Sequence, residues 1–247
     1  MASNRQPKIL YVDIETAPII AAIWTTYEAN AIWIERDTYL LSFAAKWAHE
    51  RNVKTFALPD YPRYKTHKHD DKQLCHDLWK MLDAADIVVA HNGDSFDIKK
   101  INSRLAVHGF KPPSPYKTID TLKVARRNFK FDSNKLDNLG RYLKEGRKIP
   151  NTGAHLWRGC CDGDPKSWRI MRRYNAGDVR LLVRIDQRLR SWDRNRPNLN
   201  LYTGGHGCPT CQSRALQRRG LNYGKTVVRQ RWLCEDCGAS FSGAIVK

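Results

Sequence analysis

Residues 8–18, Lys-Ile-Leu-Tyr-Val-Asp-Ile-Glu-Thr-Ala-Pro, constrain the fold most tightly. Ile9, Leu10, Tyr11 and Val12 form an apolar, partly β-branched run that Pro18 stops, the pattern of a buried strand. Side chains two apart on a strand share a face, so Asp13 and Glu15 stand side by side at its end. Two ionised carboxylates that close repel each other unless a cation lies between them. Hard oxygen ligands of this kind suit Mg²⁺ or Mn²⁺. Two solvated acids at a strand end are the plainer reading of Asp-x-Glu alone, and the rest of the chain decides between them.

With 247 residues there is room for one ordinary domain and a small module. Hydrophobic residues make up 41%, enough for a core, which excludes wholesale disorder. Lys and Arg number 43 against 25 Asp and Glu, a net charge of +18 with a pI near 9.8. That balance selects a polyanionic partner, nucleic acid first. An anionic membrane surface competes, but no long basic amphipathic segment supports it and no apolar run approaches a membrane span. The opening residues, Met-Ala-Ser-Asn-Arg-Gln-Pro, carry no apolar leader core. A cytoplasmic protein is therefore expected, with nucleoid association open to it, and a reducing compartment fits its cysteines.

Residues 39–47 and 53–58 read as further strands, an antiparallel meander after the first. Residues 19–37 lack a clean period and read as mixed loop and helix. Residues 60–69 form a basic surface loop in which His67 and His69 are solvated. Helical spacing covers residues 70–84 through Leu74, Leu78, Met81 and Leu82, with Asp70 and Asp71 suited to its N-terminus. Ile87 to Ala90 then make a short buried strand, and a second helical run covers residues 96–108. Asp97 thus falls where a strand hands over to a helix, where ligand-binding groups collect in open α/β sheets; a solvated cap is the equal alternative.

After a Pro-rich break at 111–115, helices are read at 118–127 and 135–143, with Asp120 as a helix-start residue. Residues 149–163 read as irregular. Within them His155, Cys160 and Cys161 are structural or incidental, since adjacent cysteines do not easily share one tetrahedral ion. Asp164 and Pro165 open the longest helix, running to about residue 192. Tyr174 and Asp178, four apart, lie on one face of it; alone they read as a buried hydrogen-bonded pair.

Three motifs therefore occur in order: Asp13-Ile-Glu15, Asn92-Gly-Asp-Ser-Phe96-Asp97 and Tyr174-Asn-Ala-Gly-Asp178. In them the chain resembles the RNase H-like 3′–5′ exonucleases of the DEDDy type, whose motifs read Asp-x-Glu, Asn-x₂₋₃-(Phe/Tyr)-Asp and Tyr-x₃-Asp. The likeness covers residues 8–192. Residues 118–122 and 136–140 resemble that family's connecting helices. A sister group has His five residues before its last Asp; Arg173 stands there, so the Tyr type is the match. The resemblance implies that Asp13, Glu15, Asp97 and Asp178 hold two Mg²⁺ (or Mn²⁺) ions and that Tyr174 orients the attacking water. It also puts Asn92 and Phe96 on the substrate side. Tyrosine, with a reference pKa of about 10, is a poor base near neutrality, so positioning suits it better than proton abstraction.

Residues 195–207 are a composition break and read as a linker. Cys208-Pro-Thr-Cys211 and Cys234-Glu-Asp-Cys237 follow, 22 residues apart. Paired Cys-x₂-Cys knuckles in a cytosolic chain signal one structural Zn²⁺, which supplies the folding energy so small a module lacks. The spacer reads as strands carrying Arg218, Arg219, Lys225, Arg229 and Arg231, with Trp232 among them, and resembles the zinc ribbons of transposases and transcription proteins. Phosphate contacts and base stacking are its functional reading, a purely structural or protein-binding ribbon the alternative.

The expectation is an α/β RNase H-like exonuclease fold, a mixed sheet flanked by helices, over residues 1–194. Residues 195–247 are expected to form the linker and zinc ribbon. The function expected is metal-dependent 3′–5′ exonuclease activity, on DNA before RNA, with any polymerase partner a separate chain. A transposase-like endonuclease and a non-catalytic nucleic-acid-binding protein are the rivals.

Overall fold

The computed structural model describes residues 5–27 and 30–247. The chain opens with β1 (Ile9–Thr16), a two-stranded hairpin of β2 (Ile20–Ala22) and β3 (Trp33–Arg36), then β4 (Leu40–Trp47) and β5 (Lys54–Ala57). Next come α1 (Lys72–Asp83), β6 (Ile87–Ala90), α2 (Asp97–Val107) and β7 (Lys117–Asp120). Four helices follow, α3 (Thr121–Asn128), α4 (Leu136–Tyr142), α5 (Ala154–Asp162) and α6 (Pro165–Leu189). A short α7 (Asn200–Thr203) leads into β8 (Leu216–Tyr223), β9 (Val228–Cys234) and β10 (Ser240–Ile245).

The main sheet has the order β5-β4-β1-β6-β7. β1 pairs antiparallel with β4 and parallel with β6, so the sheet is mixed. Its two faces follow the alternation along β1. Leu10, Val12 and Ile14 pack with Leu74, Leu78, Ile101 and Leu105 of α1 and α2. Tyr11 faces the other way, onto Val124, Leu139, Leu182 and Ile185 of α3, α4 and α6. Asp13 and Glu15 continue the Tyr11 register, which carries them toward α6.

Three local expectations are corrected. Residues 19–37 hold a β-hairpin and no helix among the described residues; Glu28 and Ala29 lie outside them. Residues 117–120 are the fifth strand rather than the start of a helix, because β6 offers its open edge from Lys117 to Asp120 and the β-branched Thr118 and Ile119 fit it. Residues 154–162 are helical rather than irregular, since Leu156 and Cys160, one turn apart, reach the core together. His155 stays exposed and joins no metal-capable group. His67 hydrogen-bonds Thr66, and His69 packs edge-on against Tyr39.

The linker is pinned to the first domain. Arg196 makes a bidentate pair with Asp186 of α6, at 2.7 and 2.8 Å, and Tyr11 Oη donates to the same carboxylate at 2.8 Å. Leu199 is buried in the α6-side core and its N–H donates to Pro209 O, so the ribbon begins on a fixed base. Among the described residues no helix is long and apolar enough to cross a membrane.

Arg196 and Asp186 are both nearly fully buried, so removing one partner strands the other's charge. Arg196→Ala is expected to lower stability by about 3–5 kcal/mol, read as a shift of the urea midpoint. A midpoint within error of the parent's would show that the pair contributes nothing.

Candidate active site

The acids come from three elements that meet on the α6 side of the sheet. β1 supplies Asp13 and Glu15, the first residue of α2 supplies Asp97, and mid-α6 supplies Tyr174 and Asp178. Carboxylate oxygens of Asp13, Glu15 and Asp178 lie within 4.8 Å of one another. Asp97 stands beside that group. Its Oδ1 accepts the Ile14 N–H at 3.2 Å, which ties it to the residue between the two strand acids.

The turn that delivers Asp97 is built by Asp120. This carboxylate caps α3 by accepting the Leu122 and Lys123 N–H groups and also accepts Asn92 N–H at 2.9 Å. Asn92 sits at φ +64°, a conformation Asn tolerates better than most side chains. Gly93 follows because a Cβ there would stand 2.4 Å from that of Ala90. Asp120 is thus the helix-start residue the sequence indicated, and it also shapes the catalytic turn. Asn92 lines a cleft of about 630 Å³ together with His91, Arg126, Lys135 and Lys148. Phe96 is 40% exposed at the start of α2.

Sequence reasoning missed three groups. Lys148 Nζ lies 2.6 Å from Asp178 Oδ2 and donates to Tyr174 Oη at 2.8 Å. Its backbone N–H donates to Asp137, and Ile149 beside it fills the space that Gly177 leaves on α6, where a Cβ would meet Ile149 Cδ1 at 2.7 Å. Asn175 donates to Asp13 Oδ2 at 2.6 Å and accepts from Ser42 Oγ. Trp157 of α5 packs edge-on against Tyr174, with ring centroids 5.9 Å apart. Lys148 lies in a stretch without a period, so no sequence signal pointed to it. Asn175 occupies the second position of Tyr-x₃-Asp, about 100° round the helix from Tyr174, and its spacing gave no signal of the contact with Asp13.

Burial dominates the electrostatics. It lifts Asp13 well above the carboxylate range, and repulsion from Asp97, Glu15 and Asp178 adds to it. Glu15 is pushed up to about 8 by burial and then by the Asp178 charge. Asp97 rises to about 6 through burial, against the hydrogen bond from Ile14. Asp178 is raised by burial, with Lys148 opposing. Burial would lower Lys148, but Asp178 and Tyr174 outweigh it and hold the ammonium charged. Tyr174 rises to about 12, chiefly by burial, and stays a neutral phenol.

This donor set fits divalent cations. Asp178 is 1% exposed, and neither of its oxygens accepts an aligned hydrogen bond, although Oδ2 faces the Lys148 ammonium. Oδ1, with no donor or ion-pair partner, together with the carboxylates of Asp13 and Glu15 within 4.8 Å, suits a hard cation.

The four ribbon cysteines also converge, with Sγ atoms within 4.8 Å of one another. The separations Cys208–Cys237 and Cys211–Cys234 are 3.7 and 3.6 Å. A tetrahedron with Zn–S of about 2.3 Å sets its sulfurs about 3.8 Å apart, so the cluster fits a small zinc-binding domain. On the ribbon, Arg218 lies over Trp232 at 5.5 Å, while Arg231 and Arg229 bond main-chain oxygens of Arg219 and Gly243. Arg219 and Lys225 are exposed. His155, Cys160 and Cys161 form no such group; Cys160 is buried in the core.

No curated protein sequence matches the chain. Among solved structures it is similar to a family B DNA polymerase from the hyperthermophilic archaeon Pyrobaculum calidifontis, with a TM-score of 0.53 and 14% identity. The match covers 90% of this chain and 31% of the polymerase, so it is a likeness of fold with part of a longer protein. A family model described as the RNase_H superfamily matches residues 10–190, the span that holds the mixed sheet and all five site residues. The chain belongs to the RNase_H superfamily.

Proposed function

We propose that the protein is a metal-dependent 3′–5′ exonuclease of the DEDDy type, acting on single-stranded DNA or frayed 3′ ends before RNA. The observation that carries this is the convergence of Tyr174 and Asp178 of α6 with Asp13 and Glu15 of β1. DNA is preferred because the ribbon resembles those of transposases, and the similar solved structure is itself named a DNA polymerase.

In this reading Asp13, Glu15 and Asp178, with Asp97 beside them, hold two Mg²⁺ or Mn²⁺ ions. Such ions lower the pKa of bound water and stabilise the attacking and leaving oxygens of an in-line displacement. The protein's own part is positioning. Asn175 fixes the Asp13 carboxylate. Tyr174, neutral near pH 7, accepts from Lys148 and so keeps its own O–H free to direct a water. The ribbon cysteines take a Zn²⁺ that holds the module together, and its arginines grip phosphates.

The test follows 5′-labelled single strands of DNA and RNA of one sequence with Mg²⁺ or Mn²⁺. A ladder shortening from the 3′ end is expected, abolished by Asp13→Ala and slowed about 10²-fold by Tyr174→Phe. Internal nicking of a circular single strand would replace the exonuclease with an endonuclease, and intact strands with a gel shift would leave a binding protein.

Metal binding has its own signature. A carboxyl whose folded pKa is raised favours the folded state below its unfolded pKa, and that preference is lost as pH rises through the folded value. With Glu15 raised to about 8 and Asp13 raised as well, metal-free protein should lose melting temperature from about pH 5 to about pH 8. Added Mn²⁺ should restore most of it at the upper end, where the ligands are ionised. A melting temperature indifferent to Mn²⁺ at pH 8 would exclude the site. Cys208→Ser is expected to release zinc, measured by a colorimetric chelator, and to expose residues 208–245 to proteolysis while residues 9–189 stay folded.

A further inference from the structure

A second strongly charged feature lies away from the catalytic acids. Lys46 at the end of β4, Arg51 in the following turn, and Arg180 and Arg184 of α6 line one open cleft of about 320 Å³, floored by Val53 and Val183. Among the described residues none of the four cations is ion-paired with an acid. The acids at its edges are engaged elsewhere: Glu50 pairs with Lys54 at 3.0 Å and Glu145 with Arg188 at 3.3 Å. Arg184 Nε donates to Glu145 O at 2.7 Å, which fixes the guanidinium and leaves its other N–H groups to the cleft. Four like charges gathered without a counter-ion repel one another, a cost that an anion bound between them would reverse.

Position identifies the anion. Lys46 is opposite Tyr11, two residues before Asp13 on the neighbouring strand. Arg180 and Arg184 follow Asp178 by two and six residues, so Arg184 lies about 9 Å further along the same helix. The elements that carry the acids thus also carry the cleft, with its arginines on the exposed side of α6. Arginine forks bind phosphate oxygens bidentately, and a shallow open groove admits a continuous backbone rather than enclosing a small ligand. We propose that this cleft docks backbone phosphates of the nucleic-acid strand whose end is in the catalytic site. The inference rests on the nuclease reading for the identity of its ligand.

The experiment measures fluorescence anisotropy of a 5′-fluorescein oligothymidylate of about 30 nucleotides. Full-length Asp13→Ala protein is used without added divalent metal, from about 50 to 200 mM salt. Arg180→Ala/Arg184→Ala in that background should weaken binding about tenfold and reduce the log–log salt slope by about 1.4, since each single-strand phosphate contact contributes about 0.7. Lys at both positions should restore the slope. Arg51→Glu, at an exposed turn, removes one contact and should weaken binding with a slope reduced by about 0.7, and it serves should the helix variant fail to melt cooperatively. Unchanged affinity and slope in a folded variant would overturn the site. The two readings separate cleanly: a reduced slope without strand shortening by the unsubstituted protein keeps the cleft and removes the exonuclease. Shortening with an unchanged slope does the reverse.

Discussion

The site depends on carboxylates forced together where water is scarce. Two unit charges about 4 Å apart repel by about 4 kcal/mol at an effective dielectric of about 20, while a domain's whole stability is about 5–15 kcal/mol. Four ionised acids cannot be carried on those terms: burial first and then their mutual repulsion lift Asp13 and Glu15, and burial lifts Asp97. The fold supplies one permanent counter-charge, Lys148, and two amide donors, the Asn175 side chain and the Ile14 backbone. One ammonium against four carboxylates leaves a deficit of positive charge that protonation or bound cations can make good, so the group could hold divalent ions.

Lys148 is held by packing as much as by charge. It belongs to the irregular stretch between α4 and α5, whose path is fixed when Ile149 seats in the notch at Gly177 and Asp137 accepts the Lys148 amide. A side chain at 177 would displace Ile149 and move the ammonium off Asp178 and Tyr174. The glycine inside Tyr174-Asn-Ala-Gly-Asp178 is therefore a packing requirement right beside Asp178, and it weakens the helix locally.

This division of labour explains what could be read from the chain. Asp13 and Glu15 were legible because a strand's period of two fixes a shared face, and Tyr174 with Asp178 because a helix repeats near four. The two Cys-x₂-Cys knuckles needed only their spacing. Asp97 at its strand-to-helix handover read equally as a cap, and only the resemblance of Asn92-Gly-Asp-Ser-Phe96-Asp97 to the family's second motif singled it out. By contrast β7 has four residues and is a strand only because β6 offers an edge, a tertiary fact that propensity at 118–122 does not contain. In the hairpin β2 is half-buried throughout and β3 is mostly exposed, so no alternation marks either strand. Lys148 acts through a segment without a period, and long-range packing alone brings it to α6.

The distribution of charge reconciles a basic protein with an acidic site. Residues 9–35 contain no Lys or Arg, although the chain as a whole carries +18. β1 and the hairpin after it thus bring no permanent cation of their own to the acids, and the ammonium that reaches Asp178 comes from Lys148. A polyanion is repelled by those acids at short range and drawn by the surrounding lysines and arginines at long range, the more so at low salt. The ribbon starts from a base pinned through Arg196 and Leu199, so its arginines and the cleft at Arg180 and Arg184 stand at fixed distances from Asp178. In the proposed reading, separating the basic surface from the acidic centre lets a strand be held by its backbone phosphates while its end reaches the acids, and affinity then resides in groups other than the metal ligands.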